Sequence, residues 1–165
     1  MLSKQQEHNG SRAYFLQQLR IGDRWAEFVA SQITEVGKYA FATPTKIAES
    51  EDDIKDFTEN EKDILLSRDR TLEVKSRSFP FTSVTDYPYE TAFVDTVEGW
   101  LAKRGHPVAV AVVSQVTGCV VVVPVSSQGL WSQRRVFDSK RGFEVDVFEC
   151  PKGALRSFEE FLAWL

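Results

Sequence analysis

The chain has 165 residues, 42% hydrophobic and 27% charged, the make-up of one globular domain that can bury a core without disulfide or metal staples. A formal charge of −4 excludes a generally basic nucleic-acid coat but leaves room for a local basic patch. Two cysteines, Cys119 and Cys150, lie too far from any histidine-rich segment for a structural zinc site and read as reduced thiols of a cytoplasmic protein, although two cysteines can in principle pair.

The opening "MLSKQQEHNGSR" is polar, so no signal peptide is expected. Residues 1–20 read as a mobile extension that turns helical around "RAYFLQQLRI". A second helix is expected from Asp23 as N-cap through "RWAEFVASQITEV", with Trp25, Phe28, Val29, Ile33 and Val36 on one face. Gly37 supplies its stop. "KYAFATPT" predicts a short strand, held to an edge by Pro44. The acidic run from Glu49 to Asp63 predicts a solvated loop or short helix. Two strands, "KDILLS" and "TLEVKSR", follow as a hairpin through the polar turn Arg68-Asp69.

"SFPFTSVTDYPY" is aromatic and punctuated by proline, a loop lying over other structure. "ETAFVDTVEGWLAKRG" predicts a strand passing into a short helix. The most apolar stretch, "PVAVAVVSQVTGCVVVVPV", is interrupted by Ser114, Gln115, Thr117 and Gly118. Two buried strands, 107–114 and 119–125, fit it better than a membrane span, and no membrane partner is expected. "RRVFD" and "FEVDVFE" are expected to add edge strands, and Ser157-x-x-Glu160 forms a capping box opening a terminal helix. The whole reads as a single α/β domain, with no repeat or linker.

Chemistry concentrates in the hairpin. Side chains alternate along "TLEVKSR", so Leu72 and Val74 share one face while Glu73, Lys75 and Arg77 share the other. A tight hairpin folds Asp63 back beside Glu73. Two carboxylates and an ammonium then converge, a hard oxygen donor set suited to Mg²⁺ or Mn²⁺ and completed by substrate phosphate. The Val74 carbonyl is a further candidate ligand. Lys75, kept protonated by its acidic neighbours, suits an electrostatic role better than that of a general base.

Asp63, nine intervening residues and Glu73-Val74-Lys75 resemble the active-site hairpin of the PD-(D/E)XK nuclease superfamily. The resemblance spans roughly residues 22–115, with residues 116–165 as a C-terminal elaboration. It implies a restriction-endonuclease-like core: a helix, a three-stranded meander, a crossover helix and a further strand, giving a central mixed β-sheet flanked by helices. It further implies hydrolysis of DNA phosphodiester bonds with Mg²⁺ or Mn²⁺, Asp63 and Glu73 binding metal and Lys75 assisting catalysis. Glu27 lies where related helices often bring a further glutamate, although its position on the helical wheel points to solvent. Lys62 stands where the family has proline, and the acidic insertion before it has no family counterpart. The Asp/Glu-x-Lys pattern also occurs at Asp53-Ile-Lys55 and Asp138-Ser-Lys140, but only Glu73 has an apolar strand, a hairpin and an upstream aspartate.

Arg77 is a candidate phosphate contact or a partner for Glu61 or Asp69. Arg134 and Arg135, beside Trp131, form either a strand-contacting patch or a solvated edge. Tyr87, Tyr89 and Phe81 are candidates for a substrate lip or for core cover. The rival reading is a non-catalytic nucleic-acid-binding or assembly protein on the same fold. A monomer and a homodimer through the apolar C-terminal helix are both compatible with the sequence.

Overall fold

A computed structural model describes residues 4–47, 49–50, 52–53, 56, 62–139 and 142–165, with side chains from Ala13 onward. The acidic residues Glu51, Glu59 and Glu61, and with them Lys55 and Lys140 of the two other tripeptides, lie outside the described residues. Asp53 accepts from the amides of Glu49 and Ser50, and its own amide donates to Ser50 Oγ.

Helix α1 runs unbroken from Lys4 to Glu35, where the sequence suggested two helices. Gly22 does not divide it, because one interior glycine costs only about 1 kcal/mol against alanine, which packing of the helix face offsets. Asp23 is therefore no N-cap. Its carboxylate instead accepts from the Thr45 amide, at 3.2 Å, and from the Thr45 hydroxyl, tying the helix to the segment after the first strand. Ala26, Val29, Ala30 and Ile33 form the buried stripe, with Trp25 and Phe28 packed beside it. Val36 is 52% exposed, because the helix ends before its face can reach the sheet. Gly37, at φ 78°, closes the helix. Its amide donates to Thr34 O and that of Lys38 to Ile33 O, a Schellman end.

Strands β1 (Ala40–Ala42), β2 (Ile64–Leu66) and β3 (Thr71–Arg77) form an antiparallel meander. The expected turn between β2 and β3 is present, with Arg68 at φ 60° and Asp69 at φ 56°, the left-handed values that tight hairpins favour. The chain then crosses over. An aromatic loop leads to β4 (Thr91–Thr96), which passes directly into helix α2 (Val97–Ala102) and returns as β5 (Ala109–Ser114), parallel to β3. A parallel neighbour demands such a long connection. β6 (Val120–Pro124) pairs antiparallel with β5, and the two-residue β9 (Arg156–Ser157) closes a six-stranded sheet of order β1-β2-β3-β5-β6-β9.

β7 (Ser132–Asp138) and β8 (Phe143–Pro151) are strands, as expected, but they do not extend this sheet. With β4 they make a separate three-stranded sheet of order β4-β8-β7. The reason lies in the central strands. Every residue of β5 is buried, and β6 is buried over Val120–Val123, so both faces of the sheet need cover. One face, with Leu72, Ala109, Ala111, Val113 and Val122, packs on α1 and the terminal helix α3 (Phe158–Trp164). The other, with Val110, Val112, Val121 and Val123, lies beneath Ala92, Val94, Trp100, Phe81 and Tyr87. Phe81 and Tyr87 are thus core cover and not a substrate lip, whereas Tyr89 is exposed. The Ser157–Glu160 capping box forms as expected. Cys119 and Cys150 are free thiols. Among the described residues, no helix is long and apolar enough to cross a membrane.

Candidate functional site

Leu72 points into the core beneath α1, so strand alternation sends Glu73 and Lys75 to the opposite face, toward the small sheet. Their register partners on β5 are Val110 and Val112, both fully buried. The charged pair therefore stands against an apolar floor. On the far side β4 carries a bulge between Phe93 and Asp95. Such a bulge re-aims the side chains around it, and Asp95 enters the same space. Helix α2 follows at once, capped by Thr96 Oγ1 accepting from the Gly99 amide, and brings Lys103 round from its C-terminal end.

The result is a ring of alternating charge. Lys75 Nζ lies 2.6 Å from Glu73 Oε1 and 3.9 Å from Asp95 Oδ1. Lys103 Nζ lies 2.8 Å from Asp95 Oδ2 and 3.3 Å from Glu73 Oε2. Each carboxylate bridges both lysines. Burial would pull the two ammoniums toward neutrality, but Glu73 and Asp95 outweigh it and hold both lysines above their ordinary range. At neutral pH both are charged. Lys62, at the rim, is pushed down by burial and by the Lys103 charge, against the pull of Glu73, and donates to Gly105 O at 2.8 Å.

Asp63 joins from the start of β2. The β2–β3 ladder ends at Ile64↔Leu72, and beyond it Asp63 Oδ2 accepts from the Val74 amide at 2.7 Å. Odd-numbered β3 carbonyls, those of Thr71 and Arg77, accept from the β5 side. By the same alternation the Val74 carbonyl opens on the edge where Asp63 lies. Lys62, Asp63, Glu73, Lys75, Asp95 and Lys103 all line one cleft of about 440 Å³, whose wall includes Asp138 at the end of β7.

Three of the sequence-predicted residues, Asp63, Glu73 and Lys75, therefore come together, with Val74 between them. The others do not. Glu27 is exposed on α1, which packs on the opposite face of the sheet, and it does not line the cleft. Arg77 lies over the Phe93 ring, 5.0 Å from its centroid, and burial lowers its basicity. Arg134 makes two short bonds, 2.6 and 3.0 Å, to the buried Glu149, and Arg135 lies 3.3 Å from Asp146. These two arginines are balanced within the small sheet. Asp95 and Lys103 are the residues that the sequence reading does not single out. The available signal was an aspartate ending an apolar strand, with a lysine one short helix later.

Carboxylates and a carbonyl are hard oxygen donors, and Mg²⁺ commonly uses only one or two protein carboxylates while retaining waters. Asp63, Glu73 and the Val74 carbonyl suit that role by donor chemistry. Among the described residues, no group of three His, Cys, Asp or Glu side chains is placed to hold a metal ion. A cation binding here would thus rely on two acids, the Val74 carbonyl and solvent. No protein-family model, curated protein or solved structure matches this chain.

Proposed function

We propose that the protein is a divalent-metal-dependent nuclease hydrolysing DNA phosphodiester bonds. The observation that supports this reading is the meeting of Asp63, Glu73 and Lys75 in one polar cleft on the face of a mixed sheet. The order of elements adds support: a helix, a three-stranded meander, a crossover containing a helix and a strand parallel to the third. That is the core order of the superfamily that the hairpin resembles. In this reading Asp63, Glu73 and the Val74 carbonyl hold Mg²⁺ or Mn²⁺. The ion, when bound, supplies polarisation of a phosphoryl oxygen and an activated water.

The chain's own residues do the remainder. Asp63, bonded to the Val74 amide, fixes the carboxylate and the neighbouring carbonyl relative to one another. Lys75, charged and only 24% exposed, offers a cation to the negative charge that develops on the phosphoryl oxygens. Burial against Val110 and Val112 lowers the local dielectric and strengthens that interaction.

Glu73→Ala should lower Mn²⁺-dependent cleavage by at least about 100-fold, the loss typical of removing one group that stabilises a transition state. Its circular dichroism spectrum should match the parent. A screen of duplex, branched and single-stranded DNA and of RNA, with and without Mn²⁺, supplies the substrate. Undiminished cleavage by the alanine variant would remove the assignment. The closed ring of ion pairs favours one rival, a non-catalytic binding or assembly protein on the same fold, which requires no cleavage of any nucleic acid and no heat of Mn²⁺ binding.

A further inference from the structure

We infer that Lys103 is a second catalytic lysine, positioned by Asp95, which meets the substrate phosphate when Glu73 turns to a divalent cation. The inference rests on the nuclease reading above and adds two residues to it. Neither Asp95 nor Lys103 belongs to the hairpin.

The argument begins with what Glu73 must give up. Both of its oxygens are engaged, Oε1 by Lys75 at 2.6 Å and Oε2 by Lys103 at 3.3 Å. A metal ion needs at least one of them, and an ammonium competes for the same lone pairs. The longer contact is the one to Lys103. Losing it does not set Lys103 adrift, because Asp95 Oδ2 holds the same nitrogen at 2.8 Å. Lys75 is placed the other way round, close to Glu73 and 3.9 Å from Asp95.

The two lysines thus divide the work. Lys75 stays with Glu73, and Lys103 remains anchored to Asp95 with one face of its ammonium released. Its three donors allow that, since only one is needed for Asp95. The released donors open on the cleft that Lys103 already lines. A phosphodiester brings in the negative charge that Lys103 loses when Glu73 turns away. Lys103 transfers no proton. It stays an ammonium, stabilising charge on a non-bridging phosphoryl oxygen. Water forms the new P–O bond and loses a proton to solvent, and the P–O ester bond breaks with the leaving oxygen taking up a proton from solvent.

Asp95 is a positioning residue in this scheme. Local structure fixes it at three points: the β4 bulge, its own Oδ1 accepting from the Thr96 amide at 2.9 Å, and the lysine pair. The Thr96 cap then sets where α2 starts, and the helix sets where Lys103 ends.

The test compares the full chain with Lys103→Met, Lys103→Arg and Asp95→Asn. Mn²⁺ binding is read by calorimetry, and cleavage is read on the labelled DNA form found active in the screen. Lys103→Met should bind Mn²⁺ at least as tightly as the parent, because a competing cation is gone. Its kcat should nonetheless fall by about 100-fold or more. Lys103→Arg should recover part of that loss, and Asp95→Asn should lower kcat with little change in Mn²⁺ affinity. Cleavage by Lys103→Met within a few-fold of the parent would overturn the inference alone, leaving the nuclease reading standing. A parent that cleaves no nucleic acid would overturn both. Should Lys103→Met fail to fold, Lys103→Gln, which keeps a polar, uncharged side chain in the cleft, is judged by the same two readouts.

Discussion

Asp86 shows how strongly one exposed carboxylate can be held by its own loop. It accepts from the amide and hydroxyl of Thr82 and from the amide and hydroxyl of Ser83, and these bonds pull its pKa down to about 2. In the unfolded chain the same group titrates near 3.8. The folded value is the lower one, so its stabilising contribution is complete above pH 3.8 and is lost as pH falls through about 2. A ¹³C-detected carboxyl titration should place the Asp86 midpoint near 2; a midpoint near 3.8 would mean that the loop does not grip it. The sequence displays these residues as "TSVTD", but nothing in their order shows that four donors converge on one acid.

At the scale of elements, the junction of β4 and α2 decides where the cleft's far wall stands. Gly99 has no side chain, and a Cβ there would come within 2.8 Å of Thr96 Oγ1 and 3.4 Å of Asp95 Oδ1. The Thr96 hydroxyl is the helix cap and has little room to withdraw. Gly99→Ala should therefore cost about 1 kcal/mol, the usual worth of an N-cap, and should lower cleavage by displacing Asp95. Thermal melting and the cleavage assay would read the two effects separately. Local elements were legible in the sequence for physical reasons. The strand-to-helix passage at Thr96, the Gly37 stop and the Ser157 capping box each rest on chemistry within a few residues. The unbroken α1 was not, because a lone Gly22 looks like punctuation until tertiary packing overrules it.

At the scale of the molecule, legibility stopped where pairing became non-local. Alternation in "TLEVKSR" separates Leu72 from Glu73 and Lys75, and the tight turn leaves Asp63 lining the same cleft as that pair. Nothing in "RRVFD" or "FEVDVFE" says whether they join β6 or β4, since edge pairing depends on which face still lacks cover. Asp95 and Lys103 were hidden for the same reason, reaching Glu73 through a crossover and not through a hairpin.

The buried strands β5 and β6 are the feature with the widest reach beyond the native state. Their runs "AVAVVS" and "VVVVP" contain no charge, and the folded sheet is ended by strands of only three and two residues. Those brief ends protect the native molecule from joining its neighbours edge to edge. Melting strips that protection and presents two uncharged, β-branched segments to other chains at once. Heated samples should accordingly precipitate instead of refolding, with little transition left on a second scan and an apparent Tm that climbs with scan rate. Full recovery of the transition after cooling would show that these valine runs find each other again faster than they find strangers.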